Sequence, residues 1–232
     1  MTETHTWSYD GTELAWLQAA LERPGQRAGH VVGELVPGGF GAYLRVFHRF
    51  DASDGSGRTR SWRERAEAAG RPFHAEMSHG PLLQDADGPD ADVRWLADSG
   101  QPDVGTRRAL ARCLGRVTGE QPVLFAYDLA ALLWGAPGPL VRRSSLAGLD
   151  SSRPFVAAEV GLDADYEEIT GPEFWWPEDR SWVVTSDYDL LSTYVGCSAE
   201  AAALILADDG IEALPVTPGT RVDFAADDAN SR

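Results

Sequence analysis

A chain of 232 residues and 25.1 kDa, 43% hydrophobic and 24% charged, can bury about 70% of its unfolded surface without disulfides or a structural metal. It has no apolar run long enough to span a bilayer, and its opening MTETHTWSYDG lacks a basic n-region and an apolar h-region, so a cytoplasmic protein with no membrane association is expected. The net charge of −16 is uneven: residues 1–149 sum to −2 and residues 150–232 to −14, which disfavours nucleic acid and leaves a basic protein partner or plain solubility as the readings.

All 20 cationic side chains are arginine. Without lysine there is no Schiff-base amine, no lysine general base and no P-loop lysine. Cys113 and Cys197 lie far apart and outside any C-x-x-C, which argues against a zinc knuckle and a disulfide framework.

In chain order, DGTELAWLQAALERPGQ reads as a helix capped by Asp10 or Thr12, striped by Leu14, Leu17 and Leu21, and stopped at Pro24-Gly25. The segments 30–36 and 42–50, joined by PGGFG, carry a hairpin signal. A surface loop at 51–60 precedes a short helix that opens on a Ser61/Glu64 capping box and ends at Gly70. Residues 80–103, rich in Pro, Gly and Asp, suggest a linker or mobile loop. DVGTRRALARCLGRVTG is a helix with Leu110, Cys113, Leu114 and Val117 on one stripe. Arg108, Arg112 and Arg116 line another face, where like charges call for an acidic partner, and the C-terminal third can supply one.

A buried strand starting at 122 can finish as a helical turn near 134, and extended segments are expected at 153–160 and 181–190. A helix over 198–210, capped by Ser198, and a strand at 211–216 close the fold. Residues 217–232 read as a disordered tail. Helices and strands are interspersed without strict βαβ alternation. The expected class is therefore α+β, a single domain over 8–216 with a largely antiparallel sheet and flanking helices.

Four groups of residues bear on function. In FWWPEDRSW, strand alternation places Trp182 in the core with Val184, Tyr188 and Leu190, whereas Trp175 and Trp176 either close the core or wall a pocket beside Glu178, Asp179 and Arg180. Asp187 and Asp189 form a D-x-D that suits a hard cation, with turn-forming aspartates as the default. His74, Glu76 and His79 lack the spacing of a known metal motif, so no metal or other cofactor is expected. Cys197, ahead of a helix N-terminus, is placed where a thiolate would be favoured, although a passive small residue also fits. G-x-S-x-G, Walker A, a dinucleotide fingerprint and the kinase set are all absent.

These blocks carry a likeness. The chain resembles a bacterial family without established activity, whose members look like W-W-P-x-D-R-x-W, then D-x-D, then T-Y-V-G-G-S ahead of a closing helix. The matching residues are Trp175, Trp176, Pro177, Asp179, Arg180, Trp182, Asp187, Asp189, Thr193, Tyr194, Val195 and Gly196, with Cys197 in place of the second glycine. VPGGFGAYLRVFH and SWRERAEAAGRPFH are similar to that family's first half. The resemblance implies one intact fold and no particular chemistry. The expectation is a non-enzymatic interaction or accessory protein, regulatory or immunity-type, binding a basic partner through its acidic C-terminal half and the Trp175/Trp176 corner. The alternative is a small metal-assisted enzyme acting on a phosphate- or sugar-containing substrate through Asp187 and Asp189.

Overall fold

Several segments are apolar at nearly every position, as strands must be when both faces of a sheet are covered. The computed structural model, which describes residues 6–8, 11–22, 29–83, 90–127, 138–149 and 171–230, shows such a sheet. Its strands are β1 (Thr6–Ser8), β2 (Ala42–Phe47), β6 (Val123–Tyr127), β7 (Leu140–Ser144), β8 (Phe174–Pro177), β9 (Val183–Ser186), β10 (Ser192–Cys197) and β11 (Ala213–Val216). They run in the order β1-β7-β6-β8-β9-β10-β2-β11, with every described pairing antiparallel. A smaller antiparallel sheet joins β4 (Thr59–Arg60), β3 (Phe50–Ala52) and β5 (Trp95–Ala97). The fold is α+β with flanking helices: α1 (Ala15–Ala20), α2 (Trp62–Ala68), α3 (Val104–Thr118) and α4 (Ala199–Leu206).

Alternation along each strand divides the large sheet between two cores. Val123, Phe125 and Tyr127 join Trp175, Trp182, Val184 and Val195 under α3 and α4. Leu124, Ala126, Trp176, Val183 and Tyr194 face the other side, under Leu17 of α1, the preceding Leu14, and Val32 and Val36. A third cluster, with Phe47, Phe50, Trp62 and Trp95, fills the space between the small sheet and α2.

Local signals in the sequence are found where expected. Ser61 and Glu64 make a reciprocal capping box on α2, and Asp103 and Ser198 cap α3 and α4. Leu110, Cys113 and Leu114 form the buried stripe of α3.

Long-range pairings correct several expectations. Residues 30–36 do not form a hairpin with 42–50. Val32–Glu34 is a 3-10 turn tucked beneath the sheet, held by a hydrogen bond from Glu22 N–H to Gly33 C=O, and β2 pairs instead with β10 and β11. Burying Val32 and Val36 against Tyr43 and Tyr194 outweighs the local turn signal. α1 is shorter than expected, and its N-cap residue is Leu14, with no side-chain cap. The 51–60 loop has strands at both ends, β3 and β4, and within 80–103 lies β5, whose Trp95 is fully buried.

Residues 217–230, read from sequence as a tail, are anchored to the fold. Val31 bridges to Arg221, and buried Asp227 accepts hydrogen bonds from Ser78 N–H and Asn230 N–H and lies 2.9 Å from His74 Nε2. The segment expected to be extended at 153–160, the helical turn near 134 and the cap residue Asp10 lie outside the described residues. Among the described residues, no helix is long and apolar enough to cross a membrane.

Candidate functional site

The FWWPEDRSW stretch is the β8–β9 hairpin. Trp175 pairs with Phe125 on one side and Val184 on the other, and Trp176 pairs with Leu124. Both indoles are 2% exposed. Trp175 meets Trp182 edge-on at 5.3 Å in one core, and Trp176 meets Trp16 of α1 at 5.8 Å in the other. Neither offers a ring face to a ligand, so the platform reading gives way to packing.

The connecting turn is clamped by its polar residues. Asp179 Oδ2 and N–H exchange hydrogen bonds with the Gln121 side chain, and Asp179 Oδ1 accepts from Ser181 N–H. Partial burial pushes the Asp179 carboxyl up, but the hydrogen bonds from Gln121 and Ser181 outweigh it and hold it below its ordinary range. Arg180 takes a left-handed φ of 58°, costly for a side chain bearing a Cβ, and its guanidinium lies 4.7 Å from the Trp16 ring. Trp176 and Arg180 thus hold the same α1 indole. The motif fastens the N-terminal helix to the sheet.

The D-x-D lies on the β9–β10 turn, not along a strand. Asp187 Oδ1 accepts the Asp189 N–H, and the Leu190 N–H closes the turn onto Asp187 C=O. Strand alternation therefore ends at Ser186, and Tyr188 is 51% exposed instead of sharing a core face with Trp182.

A buried polar chain underlies this turn. Ser186 Oγ lies 2.8 Å from Thr193 Oγ1, which lies 3.0 Å from His48 Nε2, and His48 Nδ1 is 2.8 Å from the Asp98 carbonyl oxygen. A carbonyl only accepts, so Nδ1 carries the proton in the neutral ring. Nε2 then accepts from Thr193, and Thr193 from Ser186. Burial drives the His48 pKa down to about 4.

The turn separates two cavities. On the Asp187 side, a cleft of about 160 Å³ has Leu35 and Phe174 among its walls with Glu34, Glu173, Asp187 and Tyr188. The Tyr188 hydroxyl pKa is raised, first by the charge of Asp189, then by burial and by Asp187, which marks a negative local potential. On the Asp189 side, a cavity of about 150 Å³ is lined by Arg45, Trp62, Glu76, His79, Asp189 and Arg221, among others. The two aspartates open onto different spaces and do not converge on one cation. Among the described residues, no three His, Cys, Asp or Glu side chains are placed to hold a metal ion.

The other candidates are structural. His74 is held by Asp227, and Glu76 accepts the Arg221 N–H. His79 packs edge-on against Phe224 at 5.1 Å. Cys197 points into the α3/α4 core, and burial raises its thiol to about 11, the reverse of an activated thiolate. Arg112 reaches Asp208 at 3.5 Å, so the acidic third does supply a partner for the arginine row, although so exposed a pair is worth little. Arg45, Glu34 and Glu173 are not singled out by the sequence, and His48 and Tyr188 are assigned other roles there, a metal partner for His74 and a core position, because each draws its role from neighbours distant along the chain. Comparison with protein-family models, curated proteins and solved structures finds no match for this chain.

Proposed function

We propose that this chain is a non-enzymatic, cytoplasmic interaction or accessory protein of regulatory or immunity type, and that the cleft beside Asp187 receives a cationic side chain from a basic protein partner. The observation that carries the reading is Tyr188, an exposed aromatic ring standing beside Glu173 and Asp187, and beside Glu34 with its His30 partner, over apolar Leu35 and Phe174. A guanidinium matches both features: its face lies on aromatic carbon while its N–H groups reach carboxylates. The surplus of −14 beyond residue 149 adds long-range attraction, which raises association rates and weakens with salt. The alternative, a small metal-assisted enzyme acting on a phosphate- or sugar-containing substrate through Asp187 and Asp189, draws less support from the geometry, since one aspartate caps the backbone of the other and their side chains serve separate cavities.

The test is fluorescence anisotropy with a labelled arginine-rich peptide. Binding is expected to weaken at least about tenfold between about 50 and 500 mM salt. Glu173→Gln/Asp187→Asn should weaken it by about tenfold, equivalent to about 1.4 kcal/mol. Glu64→Gln/Glu67→Gln, which removes the same charge from α2, should not. Equal losses in the two double variants would reduce the interaction to net charge and overturn the reading.

A further inference from the structure

Arg45 stands in the middle of β2, between β10 and β11, and is 8% exposed. Its Nε donates to Ser192 Oγ at 2.8 Å, and its Nη1 donates to the carbonyls of Ala75 and Met77 at 2.7 and 3.1 Å. Phe47 and Trp62 lie 4.4 and 5.3 Å from the guanidinium carbon. Among the described residues, no carboxylate forms an ion pair with it. Glu76 and Asp227 act on it only at a distance, and they are engaged elsewhere, by Arg221 N–H and by His74 and Ser78. A buried cation of this kind ordinarily has a counter-charge.

Three of the five N–H groups of Arg45 are used, and the remaining two sit on Nη2. Among the described residues they have no protein partner, and Nη2 keeps some exposure, which the cavity lined by Arg45 provides. The cavity's size and wall narrow what belongs there. At about 150 Å³ it holds about five water-sized groups. Met77, Leu191 and Trp62 supply apolar surface, while Glu76, Asp189 and Asp223 place negative charge around the rest, offset in part by Arg221, which is paired with Asp223. A dianion would meet those three carboxylates, whereas a singly charged anion with a short alkyl group matches Arg45 and the apolar wall together.

We propose that this cavity is a binding site for a small monocarboxylate, with a carboxylate oxygen accepting from Arg45 Nη2 and the alkyl end resting on Met77 and Leu191. The site is separate from the acidic cleft and does not depend on the partner-binding reading. The segment 221–224, held in place through Asp227, provides one wall.

The experiment follows the Arg45 guanidinium and Trp62 indole N–H resonances of the 15N-labelled protein during titration with sodium propionate, with sodium chloride and sodium phosphate at matched ionic strength. Propionate should give saturable shifts of both resonances with a Kd on the order of 1 mM. Phosphate should bind at least about tenfold more weakly, and chloride should leave both resonances in place. Arg45→Lys should abolish the response of Trp62. Because that variant also loses hydrogen bonds within the fold, Leu191→Phe provides a second arm: it fills the apolar end while keeping every group that accepts a hydrogen bond from Arg45, and should weaken propionate by about tenfold. Absence of a saturable Arg45 shift, an equal response to phosphate or chloride, or undiminished binding in Leu191→Phe would each overturn the proposal.

Discussion

Lowering the pH should destabilise this protein through His48 well before its carboxylates protonate. His48 is 1% exposed and is held neutral by burial, with a folded-state pKa of about 4 against 6.5 in the unfolded chain. Between those values the unfolded state binds the extra proton, so this contribution is complete above pH 6.5 and is lost as the pH falls towards 4. A shift of this size amounts to about 3 kcal/mol in all, of which about 2 kcal/mol is lost between pH 7 and pH 5. Other groups titrate nearby. The Glu212 carboxyl, raised by burial, and His30, raised by Glu34, act in the opposite direction, so the comparison must cancel them. Urea unfolding of the wild type and His48→Gln at pH 7, 6 and 5 does so, because both proteins share every other group. The wild type should lose about 2 kcal/mol more than the variant over that range, and the His48 ring resonances should show no titration above pH 5. Parallel pH profiles for the two proteins would refute the assignment of a buried neutral imidazole.

Two further outcomes follow from packing. A Cβ at Gly196 would lie 2.7 Å from Val36 Cγ1 and closer still to Phe40, so Gly196→Ala should cost about 1–3 kcal/mol in urea unfolding. A neutral result would mean that residues 36–40 are not packed on β10 as described. Asp227→Ala strips the partner from Ser78 N–H and His74, with an expected loss of about 1–3 kcal/mol and faster tryptic cleavage at Arg221. Unchanged cleavage would show that Asp227 does not anchor the C-terminal segment.

Much of the local structure was legible in the residues. The Ser61/Glu64 box, the Asp103 and Ser198 caps and the Leu110/Cys113/Leu114 stripe act over three or four positions, so their physics is complete within a short window. Alternation placed Trp182 and Val184 on one face of β9 and Val183 on the other. It failed beyond Ser186 because Asp187 caps its own turn, and the D-x-D chemistry read from spacing dissolved with it.

The candidate sites were hidden for a different reason. Arg45 is an unexceptional strand arginine until β10, the 75–77 loop and residues 221–224 enclose it. His48 becomes a neutral core imidazole only when Thr193 and Asp98 meet it. Composition and period alone were enough to establish an α+β chain with a largely antiparallel sheet and no lysine chemistry. Which strands lie side by side, where residues 217–230 settle, and that one turn divides an acidic cleft from an arginine-lined cavity are properties of the assembled fold. They depend on contacts between residues 150 or more positions apart, such as Trp62 N–H with the Glu212 carboxylate, and the free energy of such contacts comes from shared burial that no local segment encodes.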